Sequence, residues 1–348
     1  MIWTAALVTY ATMAPLVATS VIAVPAAPVW PRHVQPFFLS ATNAALTPAQ
    51  AAYIARFPVA AINHKQSARD QPPNRDEERK QIDAIAAIKQ ANASCTTLFY
   101  LNSLIDFSTL NLHQAFAASS VNGSWWLKQD DGAPVMQHGG DYTFDWSVRA
   151  AQHTWITAAL AAMANSSVDG MFVDKAGKMV RIQGVSAARV AAWNAGHDDM
   201  LADLRRLAPP TKVIVLNNRH GEGEGQLFER WGNQLDHDLL NITQDVTQLT
   251  ANSRAGVVSL VRAGGATPGS GDGPDPQACA AGLAAMLVAV AAPNTAFFSC
   301  ALDFNSAHTW MCGNFDIIYH FGAISRAFPA HFSAPCHPTR AVHCVLLK

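Results

Sequence analysis

Charge is what this sequence is shortest of. Residues 1–31 contain no Asp, Glu, Lys or Arg, and Arg32 is the first charged side chain. Only 14% of the 348 residues are charged, and 24 basic against 25 acidic side chains leave a formal net charge of −1. No run of basic residues appears, so no electrostatic footprint for nucleic acid exists. Heptad repeats are missing, which excludes a coiled coil. No strand runs into a Gly-rich phosphate fingerprint. The GEGEG at 221–225 is acidic and lacks the strand–turn–helix setting, so it reads as a loop. There is no CxxC and no paired-His spacing of the kind that holds a metal, and the expectation is an enzyme that needs no cofactor.

What is present starts with the N-terminus. MIWTAALVTYATMAPLVATSVIAVPAA has the apolar body and the small residues near Ala23, Ala26 and Ala27 of a secretory signal, without a basic leader. It is also long enough to stay in a membrane as an anchor. Residues 1–27 are therefore read as a signal peptide or an N-terminal anchor, and both place the body in the secretory lumen, at the cell surface or outside. Membrane association is expected only if the segment is uncleaved. Four N-x-[ST] sequons, at Asn92, Asn122, Asn165 and Asn241, suit a glycoprotein. So do six cysteines, Cys95, Cys279, Cys300, Cys312, Cys336 and Cys344, an even number consistent with disulfides. Five lie after residue 278 and would staple the C-terminal end, Cys336 with Cys344 among the possible pairs, although six cysteines allow about 15 pairings.

Between these ends apolar strands alternate with helices. Strands are expected at 36–42, 59–66, 96–103, 168–176, 211–220, 226–231, 255–264 and 295–304. Helices are expected at 47–57, with Thr47 as N-cap and Pro48 in its first turn, and at 75–92, 147–165, within 186–207, 236–252 and 276–292. WWLKQDDGAPVMQHG (125–139) reads as a hairpin around Asp131-Gly132, inserted after the third strand. Eight apolar strands separated by helices imply a parallel sheet covered on both faces, and eight is the number that closes a (β/α)8 TIM barrel. An open doubly wound sheet is the alternative fold.

In a barrel, the strand C-termini form the active face. Read off in order, they supply His64 and Lys65; Asn102, with Asp106 beyond; Asp174 and Lys175; Asn217, Asn218, Arg219 and His220; Glu229, Arg230 and Trp231; Arg262; and Asp303. Trp125, Trp126 and Tyr142 lie in the inserted region. Carboxylates flanked by amides and aromatics are what glycoside hydrolysis uses: two carboxyls astride the scissile bond, aromatic faces for sugar rings, and Asn, His or Arg for hydroxyls. Asp174 and Glu229 fall two strands apart, and their separation, which decides retention or inversion, is not a sequence quantity.

The segments FFLSATNAALTPAQAAYIARFPVAAINHKQ, FYLNSLIDF, FDWSVRAAQHTWI, DGMFVDKAG, QLFERWG and FFSCALDF resemble, in order, a TIM-barrel family described as hypothetical glycosyl hydrolases, distantly like the endo-α-1,4-polygalactosaminidase barrels. The resemblance spans roughly residues 36–330. It implies Asp174 as nucleophile or base and Glu229 as general acid/base. The family's strand-six phrase carries Asp-Gly before the acid. This chain has GQLFERW there, so Asp236 or Asp238 could stand in for Glu229. Asp145 in FDW matches a family acid and reads first as a helix N-cap.

The resulting expectation is a secreted TIM-barrel glycoside hydrolase over residues 34–330, with a cysteine-containing extension at 331–348 packed on it. It would act on a poly- or oligosaccharide through Asp174 and Glu229. Substrate contacts are expected from His64, Lys65, Asn102, Trp125, Trp126, Lys175, Asn217, Arg262 and Asp303. Each has an ordinary alternative: a strand end for Asp174, a surface ion pair with Arg230 for Glu229, core packing for the tryptophans, turn formation for the asparagines. A lectin-like or scaffold barrel without hydrolysis is the second function. A phosphodiesterase would want a metal cluster that the sequence does not offer.

Overall fold

The computed structural model describes residues 35–40, 44–64, 66, 76–119, 123–137, 140–217, 219, 225–231, 239–263, 276–292 and 295–299. In chain order its elements are β1 (Gln35–Ser40), α1 (Pro48–Ile54), β2 (Val59–Ile62), α2 (Glu77–Ala91), β3 (Thr96–Asn102), β4 (Ile105–Asp106), α3 (Asn111–Ser119), β5 (Tyr142–Thr143), α4 (Arg149–Met163), β6 (Gly170–Asp174), α5 (Ala187–Leu207), β7 (Val213–Asn217), β8 (Gly225–Trp231), α6 (Leu239–Ala255), β9 (Val258–Ala263), α7 (Pro276–Ala289) and β10 (Ala296–Ser299). Eight strands close a barrel in the order β1-β10-β9-β8-β7-β6-β3-β2, and every neighbouring pair is parallel. These are the eight strands expected from the sequence, and the fold is a (β/α)8 TIM barrel.

Strand periodicity sorts the core into an inside and an outside. Phe37, Val59, Ala61, Leu98, Tyr100, Phe172, Val215, Leu227, Leu260 and Phe297, drawn from all eight barrel strands, form one cluster that fills the barrel. Alternate residues face the helices. Phe99, Leu101, Met171, Val173, Ile214 and Leu216 pack in the larger cluster with α1, α2, α4 and α5, whereas Phe228, Val261 and Phe298 pack with α6 and α7. Strands buried on both faces are apolar at every position, which is why they read as continuous hydrophobic runs.

Helix α1 starts as expected. Thr47 accepts from the Gln50 amide N–H, and the Gln50 side chain accepts from the Thr47 amide, a reciprocal cap. The inserted hairpin also forms. Lys128 bridges Pro134 antiparallel, with Gly132 in the left-handed region at φ 90°. Two features were not foreseen. β4 and β5 pair antiparallel above the third barrel strand, and α3 caps them, its first amides at Asn111 and Leu112 donating to the Glu78 carboxylate of α2 at 2.8 and 2.9 Å. Asp145 is not a helix cap. Its Oδ1 accepts from the Ser147 amide (3.1 Å) and hydroxyl (2.6 Å), closing a turn ahead of α4, and Val148 takes the N-cap position.

Cys95 is a buried free thiol and takes no part in a bridge, its acidity weakened by that burial to a pKa of about 11. The side chains of the other five cysteines lie outside the described residues. Among the described residues no helix is long and apolar enough to cross a membrane. Residues 1–34, which carry the signal or anchor expectation, and 301–348, which carry the C-terminal extension, are outside them.

Candidate active site

Two residues beyond the layer of Tyr100, Phe172, Val215, Leu227, Leu260 and Phe297, the same inward face presents Asn102, Asp174, Asn217, Glu229, Arg262 and Ser299. The polar ring at the C-terminal mouth therefore continues the packing period. Glu229, two residues after Leu227, keeps that period, and the strand turns irregular only around and after it. Opposite β9, Phe228 pairs with Val261 but Trp231 pairs with Ala263, so β8 carries one extra residue. This bulge breaks the two-residue alternation. Glu229 can face the site while Trp231, two positions on, packs outward with its indole N–H on the Gly282 carbonyl of α7 at 2.7 Å.

Asp174, at the last residue of β6, accepts four hydrogen bonds. Oδ2 takes the Tyr100 hydroxyl at 2.6 Å and Asn102 Nδ2 at 3.1 Å. Oδ1 takes Asn217 Nδ2 at 2.7 Å and the Lys175 amide at 2.8 Å. Every neighbour presents a hydrogen, an environment suited to a carboxylate, which only accepts. Tyr100 lies buried below, and burial, the Asp174 charge and the hydrogen bond to it push its pKa well above the ordinary value, so the phenol stays a donor.

Asn217 ties the two acids together. The nitrogen that donates to Asp174 also donates to Glu229 Oε2 at 3.0 Å. The two oxygens can be no farther apart than 5.7 Å, the sum of 2.7 and 3.0 Å. With amide N–H bonds diverging by about 120°, they lie about 5 Å apart. The other Glu229 oxygen faces Arg262 Nη1 at 3.3 Å.

One wall is aromatic. The His64 ring stacks on Phe107, with centroids 3.7 Å apart, and on Tyr100 at 5.0 Å. It thus links the barrel mouth to the β4–β5 cap. Asn102 is fully engaged, since its Oδ1 accepts the Leu104 and Ile105 amides at 2.8 Å while its Nδ2 serves Asp174. Lys175 sits beside Asp174 with an exposed side chain and φ 55°.

The tryptophans go elsewhere. Trp126 donates its indole N–H to the buried Asp106 at 2.6 Å and stacks on Tyr142, and Trp125 packs edge-on against Phe116. Neither is in hydrogen-bond or ring contact with Asp174 or Glu229: their partners Asp106, Tyr142 and Phe116 belong to β4, β5 and α3, so both pack within the cap. Arg219 is buried and pairs with Asp198 at 2.8 Å. Lys65, Asn218, His220, Asp236, Asp238 and Asp303, and the Arg230 side chain, lie outside the described residues. Sequence reading missed Tyr100, although its spacing from Asn102 puts both on one strand face. It also missed Ser103 and His197, joined at 3.0 Å across 94 positions.

Comparisons with known proteins agree with this architecture. The family model described as hypothetical glycosyl hydrolase family 15 matches residues 89–310, more than half of the chain. No curated protein sequence matches. Among solved structures, α-L-fucosidase isoenzyme 2 from Paenibacillus thiaminolyticus superposes with a TM-score of 0.54 at 11% identity, over 84% of this chain and 49% of that one. A family GH31 sulfoquinovosidase from E. rectale gives 0.50 at 10% identity, over 85% and 47%. The chain thus spans about half the length of either enzyme. The glycoside hydrolase domain of PelA from Pseudomonas aeruginosa gives 0.47 at 14% identity, over 77% and 94%. At these identities the likeness is one of fold, and it is the family model that assigns this TIM-barrel glycoside hydrolase to the hypothetical glycosyl hydrolase family 15, to which the chain belongs.

Proposed function

We propose that the protein cleaves an O-glycosidic bond of a poly- or oligosaccharide with retention of anomeric configuration, Asp174 serving as nucleophile and Glu229 as general acid/base. The observation that carries this is the shared Asn217 nitrogen, which holds one oxygen of each carboxylate about 5 Å from the other, the spacing of retaining sites and too close for a water to be placed between them for inversion. In the first half-reaction Glu229 gives its proton to the leaving oxygen while an Asp174 oxygen bonds to the anomeric carbon, forming a glycosyl ester. In the second, Glu229 takes a proton from water, the water oxygen bonds to the anomeric carbon, and the ester bond breaks to restore both acids. The division of roles follows the geometry: four donors fix the orientation of Asp174 at the end of β6, as a nucleophile aimed at one carbon requires. Lys175, His64 and Arg262 line the mouth where a sugar would rest. We also assign the enzyme to the secretory lumen, the cell surface or the exterior, on the charge-free first 31 residues and the four sequons.

The test is a panel of α- and β-linked aryl glycosides and glycans, with wild type beside Glu229→Gln. Wild type releases sugar. Glu229→Gln loses about 10²-fold or more in kcat. Added azide restores turnover, because the anion needs no general base, and yields a glycosyl azide of the substrate's own configuration. An azide product of inverted configuration would remove Asp174 as nucleophile. Glycan binding without any cleavage would favour the lectin-like reading.

A further inference from the structure

We propose that Asn217 is a positioning residue that sets the spacing of the two carboxylates, and not one of the substrate contacts that its place at a strand end suggests. The inference rests on the catalytic reading of Asp174 and Glu229.

The geometry leaves Asn217 nothing to offer a sugar. It is 2% exposed. Both hydrogens of its side-chain nitrogen are committed, one to Asp174 and one to Glu229. Its side-chain oxygen is buried and has no hydrogen-bond partner among the described residues. That orientation is forced. Turned over, the amide would aim a carbonyl oxygen at two carboxylates, exchanging two charge-assisted hydrogen bonds for two repulsive contacts. Leaving the carbonyl unpartnered is the smaller cost.

The backbone makes the clamp rigid. Asn217 ends β7, the strand between β6 and β8, and its carbonyl accepts the Ala176 amide at 3.0 Å, tying it to the turn that follows Asp174. One side chain on the central strand thus spans to the acid on each neighbour. The Glu229 side needs it most, because the β8 bulge removes the strand pairing that would otherwise fix that carboxylate. Arg262 contacts the opposite Glu229 oxygen at 3.3 Å, so it does not substitute for the Asn217 nitrogen at Oε2.

The role separates from substrate binding in the kinetics. A positioning group acts on the chemical step, and a misplacement of about 1 Å costs roughly 10²-fold in rate. A ground-state substrate contact appears in KM. In Asn217→Ala we expect kcat to fall about 10²-fold and KM to stay within about twofold. Asn217→Asp, which turns the shared donor into a third acid, should lose more. A raised KM with unchanged kcat would overturn the proposal in favour of a sugar contact, and wild-type values for both constants would overturn it outright. Crystal structures of wild type and Asn217→Ala decide the clamp even if no glycoside is cleaved. We expect the Asp174–Glu229 separation to change by about 1 Å, and an unmoved pair refutes the inference. Wild type inactive on every glycoside, with a pair that does move, would instead refute the catalytic reading and leave the clamp standing.

Discussion

The bond from Tyr100 to Asp174 can be measured by itself. Tyr100→Phe removes one oxygen and leaves the ring in its stack with Phe172, 5.9 Å away, and His64. Asn102 Nδ2, which also donates to that hydroxyl at 3.1 Å, keeps its bond to Asp174 at 3.1 Å. The main loss is a 2.6 Å hydrogen bond to a charged acceptor inside a buried site. Such bonds are worth about 1.5–3 kcal/mol, against about 0.5–1.5 for a neutral pair. Tyr100→Phe should therefore lower unfolding stability by about 1.5–3 kcal/mol with an unchanged denaturant slope. Single variants mix this with the repulsion between the two acids, so the clean quantity is the coupling. In an Asp174→Asn background the hydroxyl has only a neutral carbonyl or amide to meet, and Tyr100→Phe should cost about 1 kcal/mol less than it does in wild type. The assay is urea unfolding of wild type, both single variants and the double variant. Additivity within about 0.3 kcal/mol would mean that the hydroxyl does not hold the carboxylate, and the four-donor description of Asp174 would fall.

Two further outcomes are expected. His197 is neutral because burial, and next to it the Arg219 charge, hold its pKa down to about 3 from an ordinary 6.5, so the unfolded chain takes up a proton there that the folded chain refuses. Stability should fall as pH drops from 6.5 toward 3 in a melting series, and His197→Gln, which keeps a side-chain N–H for Ser103, should flatten that slope. The His113 pKa is raised, mainly by its hydrogen bond to Asp106, so its contribution has the opposite sign, present below 6.5 and lost as pH rises above it. In a eukaryotic secretory host, peptide mapping should find glycan on Asn165, whose amide nitrogen donates to nothing described, in preference to Asn92, whose amide nitrogen is bound to the Ala55 carbonyl at 2.7 Å. Occupancy at Asn92 alone would contradict this.

The barrel was legible because burial on both faces writes itself into sequence as uninterrupted apolar runs, and strand ends were legible because they stop on polar residues. FVDK marked Asp174 and VLNN marked Asn217 in this way. What stayed hidden lacked a period. β4 and β5 are two residues each, too short for any alternation. The β8 bulge is a departure from alternation, and GQLFERW gives no sign of which residue is extra. Trp125 and Trp126 have the composition of a sugar platform, but Trp126 reaches Asp106 with its indole N–H, a partner 20 positions back. Asp145 failed as a cap for a local reason. Ser147 lies two residues on and offers both an amide and a hydroxyl, so the turn closed before the helix began.

The least legible part is how α5, which looks like packing alone, aims Asp174. Lys175 takes φ 55°, a conformation that costs a non-glycine residue about 1–2 kcal/mol and needs support. The support is Ser103. Its amide donates to the Asp174 carbonyl at 2.9 Å, and its hydroxyl contacts the carbonyls of Asp174 and Lys175 at 2.9 and 3.0 Å. A hydroxyl has one proton. With that proton turned to the two carbonyls, the Ser103 oxygen is left as an acceptor for His197, so His197 must carry its hydrogen on Nε2 and leave Nδ1 bare. Nδ1 is indeed buried without a hydrogen-bond partner. A second proton there would find no acceptor and would face the Arg219 charge, which is the environment that keeps the ring neutral. Helix α5 can bring the ring this close because its neighbour is Gly196, where a Cβ would stand 1.9 Å from the Trp146 carbonyl. A glycine, a neutral histidine and a serine therefore fix the turn that points Asp174 at Asn217 and Glu229, and none of the three lies in the strand-end motif that first drew attention to the acid.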